Sequence, residues 1–397
     1  MVRRVRDMPP AADGRTRAVA ANLSDPFESG SSGRGVLIID VSTPRPDLDS
    51  GSLRLYNLMA LLRERGLQVD FLPDDRADAG RYTRALRDLG IRVHCGSATK
   101  DYPEWLRRHG SAFDTIVVCR YHLGEFLIPL IRTLCVNARV VLDTVDLHFL
   151  REEREAVMRE DARLLRTARE TRRRELAVAA KADVVWVVSP VEAALLSEAV
   201  PGLHCVVLPN IHSPSHAIPP FSERQGLLFI GGARHPPNVD AAHWLIQDIF
   251  PHVRERLPGC VLHMVGERLD EALGVHAPAE GVVIHGYVPD LEPLLSSSRI
   301  GLAPLRFGAG VKGKVNVCMA AGMPVVATAC AAEGMHLRNG EDVLMADGAT
   351  AFIDAIVRLY ADEELWRRLS LAGLRNVQQH FSADTARLAL DATFASS

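Results

Sequence analysis

Residues 300–335 read IGLAPLRFGAGVKGKVNVCMAAGMPVVATACAAEGM. A short apolar run (300–303) leads into a loop of glycines and lysines. A helical stretch (314–321) follows, then a second apolar run (324–328). Strand, loop, helix and strand in that order build a parallel sheet. The loop carries Gly308, Gly310 and Gly313 with Lys312 and Lys314. Glycines leave backbone N–H groups unhindered, and a helix N-terminus adds a partial positive charge. Gly310, Val311, Lys312, Gly313 and Lys314 therefore form a candidate phosphate or diphosphate site, with Asn316 one turn on. The spacing also fits G-x-x-x-x-G-K. Val315 stands where that loop needs a magnesium-binding Ser or Thr, and the loop comes late in its domain, which argues against an NTPase.

Working outward, the same alternation fills the chain. Strand signals at 227–230, 261–265 and 282–284 flank helices at 239–256 and 290–297. Helices at 350–360, 363–379 and 382–391 close the sequence. Upstream, strands at 36–40, 68–72, 91–94, 115–119, 139–143, 184–189 and 205–208 alternate with helices at 50–65, 82–89, around Trp105 and at 125–134. Between the two series, residues 209–225 hold Pro209, Pro214, Pro219 and Pro220 and show no periodicity. The fold expected is α/β, with two Rossmann-like doubly wound parallel-sheet domains facing across a cleft. The divisions expected are a disordered tail (1–34), a first domain (35–208), a linker (209–225), a second domain (226–380) and a last helix (381–397) that packs back on the first domain. Residues 151–182 are dense in Arg and Glu, with pairs such as Glu155 and Arg159 at i,i+4. They read as one long exposed helix, each pair adding about 0.3 kcal/mol. An acceptor or membrane docking surface is the competing reading.

Composition bounds the function. The 397 residues are 47% hydrophobic and 24% charged, the range of a soluble globular protein. No apolar run approaches the roughly 20 residues of a membrane span. A net charge of −3 argues against nucleic acid as a partner. Seven scattered cysteines without C-x-x-C read as reduced thiols of a cytoplasmic protein. No Cys/His pair has zinc-ligand spacing, so no metal is expected. Arg3, Arg4 and Arg6 open the tail without a following apolar stretch, so it reads as a disordered tail and not as a signal peptide, with contact of these arginines to anionic lipid the lesser reading.

Ligands of open parallel sheets bind beyond the carboxyl ends of the strands, so the remaining candidates are loops there. Asp49-Ser50-Gly51-Ser52 precedes a helix; it either caps that helix or binds an anion through Gly51 and Ser52. Asp47-Leu48-Asp49 has the D-x-D spacing of a metal motif, but it lies directly after the first strand. Gly231–Asn238 offers Gly232 for close approach and Arg234 as a phosphate clamp, or else a structural turn. Residues 143–148 present Asp146 and His148 for hydroxyl binding or proton handling. Glu333, near the phosphate loop, can accept hydrogen bonds from hydroxyls.

Taken together, LLFIGGARHPPNVDAAHWL, HMVGE, VVIHGYVPDL and the 300–335 segment resemble the group 1 (family 4) retaining glycosyltransferases of the GT-B fold. The first domain resembles them more loosely, through VLIIDVSTPRPDLDSGSLR, VVLDTVDLHFLREERE and ADVVWVVSPVE. The resemblance implies hexosyl transfer from a nucleotide-sugar donor to an acceptor with retention of configuration and no metal, as in bacterial polysaccharide or other glycan biosynthesis. It makes Lys312 the diphosphate partner, Arg234 the arginine after the first donor-domain strand, and His148 the histidine facing the donor sugar. The lysine that follows that arginine in the family is absent, with Asn238 in its neighbourhood. The family's two glutamates, eight positions apart, correspond to Ala309 and Val317. Asn316 or Glu333 are the available substitutes. A sugar-nucleotide 2-epimerase and a non-catalytic nucleotide-sugar-binding homologue or partner subunit are the rival readings. The sequence does not give the acceptor or the oligomeric state.

Overall fold

The structure is a computed structural model and describes residues 35–99, 101–215, 217–274 and 279–394. The expected tail, 1–34, lies outside the described residues. The first sheet has seven strands: β1 (Gly35–Asp40), β2 (Gln68–Pro73), β3 (Arg92–Val93), β4 (Thr115–Cys119), β5 (Arg139–Asp143), β6 (Val184–Val187) and β7 (Cys205–Val207). The second has six: β8 (Leu227–Ile230), β9 (Leu262–Val265), β10 (Val282–Gly286), β11 (Ile300–Ala303), β12 (Val325–Ala327) and β13 (Leu344–Met345). The orders are β3-β2-β1-β4-β5-β6-β7 and β10-β9-β8-β11-β12-β13, all parallel.

Alternation explains why β1 is apolar from Gly35 to Ile39. Leu37 and Ile39 enter the core on one face of the first sheet, while Val36 and Ile38 enter the core on the other. A strand covered on both sides by helices has no polar face to offer. In each sheet the strand order reverses beside the first strand, between β1 and β4 and between β8 and β11. A crevice opens at such a switch point, beyond the carboxyl ends of the strands. The loops after β1, β5, β8 and β11 all lie there.

Several elements depart from the sequence reading. Residues 151–182 are not one long helix. They belong to two helices, His148–Met158 and Ala162–Ala179, packed on each other. Glu160 takes φ 52°, and the Asp161 carboxylate then caps the second helix by accepting from the N–H groups of Arg163 (2.7 Å) and Leu164 (3.2 Å). The stretch read as a helix at 239–256 runs Pro236–Trp244, a π-helical turn Leu245–Ile249, then Phe250–Arg256. Helix Pro190–Ala199, begun by the Ser189 cap, was missed because its apolar residues show little helical periodicity.

The chain crosses between domains twice. After helix Glu363–His380, helix Ala383–Phe394 adds Ala386 and Leu390 to the core of the first domain. Trp186 Nε1 of β6 donates to Thr393 Oγ1 at 2.9 Å.

Candidate functional site

The Gly308–Lys314 loop descends from β11 and opens helix Gly313–Ala320. Gly310 adopts φ 67°, a region L side chains avoid, and a Cβ built there would stand 3.1 Å from Asp146 Cβ across the cleft. At Gly313 a Cβ would come within 2.3 Å of Ser50 Cβ, so glycine alone fits that seam. The two domains therefore touch where the loop turns into the helix.

Lys312 is buried, with its Nζ donating to the Gly310 carbonyl at 2.8 Å. Burial pushes its pKa down, and the carboxylate of Glu333 and that of Glu192 partly oppose the shift. Lys314 turns the other way. Its Nζ stands 4.7 Å from the Phe229 ring centroid and donates to Asn238 Oδ1 at 2.6 Å. Asn238 Nδ2 in turn donates to the Gly232 carbonyl at 3.0 Å. An amine thus stands beside the position where the resemblance lacks a lysine, reached from the helix instead of from the β8 loop. Burial pushes Lys314 down to about 7, with Lys312 adding to the shift.

Across the cleft, the loop after β5 presents Asp146 and His148. Val145 sits at φ 65°, a strained conformation for a β-branched residue. Asp146 pairs with Arg151, and His148 Nε2 lies 3.3 Å from Asp146 Oδ1. Burial works against its charge, but His148, Arg151 and Arg120 together hold the carboxyl well below the usual range. The His148 ring meets Tyr121 edge-on at 5.3 Å and lies 5.9 Å from His122.

Two glutamates that sequence reasoning missed hold this loop from below. Glu175 accepts from the N–H groups of His148 (3.2 Å) and Phe149 (3.1 Å); Glu192 accepts from Leu147 (3.1 Å) and Val188 (3.3 Å). Each is 1% exposed, and desolvation pushes Glu175 up to about 8 and Glu192 to about 7. Only the S-x-x-E pattern at Ser189–Glu192 marked either of them in the sequence. Arg154 was missed as well. It crosses the cleft, donating to the Gly308 carbonyl at 2.7 Å and to Glu333 Oε1 at 2.8 Å. Glu333, a candidate hydroxyl acceptor, is thus already engaged by a first-domain guanidinium.

The other candidates fall at varying distance from this centre. Ser52 is occupied in helix capping, since its N–H and its hydroxyl both donate to Asp49 at 2.7 Å. Gly51 lies against Val145, which a Cβ would approach to 3.3 Å. Asp47 accepts from Arg81 (2.6 Å), Tyr82 (3.1 Å) and, across the cleft mouth, Tyr287. Arg234 is exposed and paired with Glu267 at 3.3 Å. Its neighbour His235 faces Asp146 and Arg151 across the cleft; surrounding protein and the charges of Arg151, Lys314 and Lys312 push it down to about 4. Asn316 is fully buried, and neither its Oδ1 nor its Nδ2 has a partner. Nearby, Asn210 Nδ2 is also unpartnered and would lie 3.5 Å from a Cβ at Gly313.

Comparison with known proteins now bears on these loops. Residues 224–362 match the family described as Glycosyl transferases group 1. The match covers most of the second domain. Among solved structures, the chain is similar to a sucrose-phosphate synthase of Thermosynechococcus elongatus (TM-score 0.69, 17% identity, 91% of this chain and 98% of that one). It is also similar to Anabaena HepE in complex with UDP and glucose (0.65, 15%, 91% and 99%) and to Staphylococcus aureus TarM (0.67, 9%, 91% and 100%). These likenesses establish the GT-B fold for both domains. An uncharacterized 44.6 kDa protein in the cps region of Klebsiella pneumoniae is 22% identical over 165 residues, 40% of this chain and 42% of that protein's length. The matched region spans the Gly308–Lys314 loop, Arg234 and Glu333. The loop with Asp146 and His148 comes from outside it.

Proposed function

We propose that the protein transfers a hexosyl group from a nucleoside-diphosphate sugar to an acceptor with retention of anomeric configuration, the second domain holding the donor. The observation that carries this reading is the buried Lys312 at the start of helix Gly313–Ala320, facing the Asp146–His148 loop across a closed seam. The chemical demand of such a transfer is the negative charge that grows on the departing diphosphate. Lys312 and the positive end of the helix supply positive charge at one place, with Lys314 turned away toward Asn238 and Arg234 on the exposed loop after β8. That HepE is described with UDP and glucose supports a uridine nucleotide as the first donor to try.

His148 and Asp146 lie on the side where the sugar would project. The Arg151 and His148 contacts keep Asp146 ionised, so it is suited to accept hydrogen bonds from sugar hydroxyls, not to donate a proton. With Asp146 engaged by Arg151 and His148, retention fits an attack from the leaving-group face, the departing phosphate taking the acceptor proton. Ala309 and Val317 leave the ribose without the family's glutamate. Glu333 has lone pairs beyond those that Arg154 uses, and it is the candidate ribose acceptor.

The test is a panel of nucleotide sugars offered to the purified chain, with and without glycan and lipid-linked acceptors. Acceptor-dependent release of nucleoside diphosphate, with the product's anomeric configuration retained by NMR, is expected. Epimerised nucleotide sugar without an acceptor would make the protein a 2-epimerase. Absence of binding to every nucleotide would make it a non-catalytic partner subunit.

A further inference from the structure

We propose that the cavity between the loop 333–343 and the last turns of helix Glu363–His380 is a phosphate-recognition site, occupied by a small phosphomonoester or by phosphate itself. This inference stands apart from the transferase reading, since none of the residues lining the cavity belongs to the candidate donor site.

The cavity holds about 380 Å³, within the range of small-molecule sites. Its lining is polar except for Ala372, so it offers little to an apolar ligand. Two walls contribute cations. The loop supplies Arg338 and the helix supplies Arg375, both exposed. Among the described residues Arg375 has no carboxylate partner. Asp342 is the one carboxylate in the lining, and its own loop engages it. It accepts the Arg338 backbone N–H at 3.0 Å and stands 3.6 Å from Arg338 Nε, while Glu341 meets Arg338 Nη2 at 2.9 Å. These two carboxylates hold the Arg338 side chain in place. A guanidinium has five donors, so Arg338 keeps some for a ligand, and Arg375 keeps all of its own.

Two imidazoles narrow the choice of ligand. His336 takes φ 57°, and its ring lies on that of His380 with centroids 4.0 Å apart and planes 11° from parallel. The lone pairs of stacked rings run side by side and do not converge on one ion. Among the described residues no group of three His, Cys, Asp or Glu side chains is placed to hold a metal. The rings are suited instead to N–H donation. Surrounding protein and the neighbouring His380 push His336 below its usual pKa, a shift that a bound dianion would reverse. Phosphate offers three oxygens to guanidinium and imidazole donors on two walls, where a carboxylate offers two.

The rest of an ester would also find a partner. Asn376 is 5% exposed and donates through Nδ2 to the carbonyls of Met335 (3.2 Å) and His336 (3.1 Å), which ties the loop to the helix. Its Oδ1 is buried without a partner, an acceptor that a ligand hydroxyl would satisfy. A ligand bridging Arg338 and Arg375 would make the same tie a second time.

The experiment is titration of glycerol 3-phosphate, inorganic phosphate and glycerol into the full chain with UDP saturating, so that the donor site is filled, followed by amide hydrogen exchange. Saturable binding of both phosphates and not of glycerol is expected, with slowed exchange at 334–343 and 375–380. Tighter binding of the ester assigns the site to a phosphomonoester, and equal binding assigns it to free phosphate. Arg375→Gln and His336→Asn should each weaken binding about tenfold or more, the loss of one charge-assisted hydrogen bond. Asparagine tolerates the positive φ of His336, and circular dichroism and UDP affinity matching wild type confirm that both variants fold. Equal phosphate affinity of wild type and both variants overturns the proposal. So does protection confined to 308–314, or glycerol binding as tightly as its phosphate. If UDP itself did not bind, the transferase reading would fall, while the dependence on Arg375 and the place of protection would still test this site.

Discussion

Replacing Lys312 should weaken nucleotide binding while sparing, or even raising, the stability of the empty protein. Lys312 is 6% exposed, and its single hydrogen bond is to the Gly310 carbonyl. An ammonium has three donors, so two remain for an incoming anion. In the unliganded protein the desolvated charge is a cost, visible as its lowered pKa. Lys312→Met keeps the aliphatic stem and removes that cost. Its unfolding free energy should therefore equal or exceed that of wild type in urea titrations. With UDP the sign reverses. Losing charge-assisted hydrogen bonds to a diphosphate costs about 1.5–3 kcal/mol, or roughly 10- to 150-fold in affinity. Isothermal titration of UDP into wild type and variant measures it. An affinity change within about twofold would refute the phosphate-site assignment. So would a loss of affinity matched by an equal loss of stability, because Lys312 would then be holding the loop together and not waiting for a ligand.

Four further outcomes follow from the same geometry. Lys314, pushed down to about 7 from 10.5, should make UDP binding at pH 8 take up a proton, since the diphosphate favours the charged amine. Titrations in Tris and HEPES, whose ionisation enthalpies differ, read the uptake, and Lys314→Met should abolish it. Glu175 and Glu192 have folded pKa values near 8 and 7 against an unfolded 4.5, so the native state holds protons that the unfolded chain has released. Stability should then fall as pH rises from about 5 to 8, with a slope of up to about 1.4 kcal/mol per pH unit for each group; thermal melts of Glu175→Gln and Glu192→Gln should show a flatter profile, and an unchanged one would disprove the linkage. Arg54 Nη1 pairs with Asp143 Oδ2 at 2.7 Å, both 1% exposed, so Arg54→Leu strands a buried carboxylate and should destabilise by about 3–5 kcal/mol in denaturant titration. Finally, UDP should speed amide hydrogen exchange at Leu147, His148 and Phe149, which the two glutamates now hold; unchanged protection would show that the donor enters without moving this loop.

The fold was legible because it depends on periodicity. Apolar runs buried on both sheet faces, separated by amphipathic helices, can hardly be read otherwise, and the Gly310–Lys314 loop announced its own place. Pairing across the cleft was not legible. Arg154 looks like one arginine in a charged run, and nothing local marks its reach to Gly308 and Glu333, 154 and 179 residues away. Glu175 is equally anonymous among the arginines of its helix until the helix is folded and the carboxylate is seen beneath His148. The break at Glu160 and Asp161 escaped because i,i+4 charge pairs continue up to it and hide the cap. Lys314 and Asn238 were each noticed, but their hydrogen bond is tertiary and leaves no trace in spacing.

The empty cleft balances its own charge. The positive end of helix Gly313–Ala320, with Lys312 beside it, faces Asp146, Glu192 and Glu333, and these carboxylates occupy the electrostatic place of a diphosphate. The arrangement is tight, for a Cβ on Gly310 would stand 3.1 Å from Asp146 Cβ. A diphosphate that reached the loop from this side would have to displace that contact. Either the domains part at this seam or the β5 loop moves, and the loop is strained at Val145 and held through carboxylates that protonate near neutral pH. The donor would trade one set of anions for another. Its net gain is the difference between two nearly neutral arrangements, so affinity depends less on the number of cations in the cleft than on how cheaply Asp146 is displaced. Arg151 decides that cost, because it can hold the Asp146 charge once Gly310 and the helix behind it have turned to the phosphates.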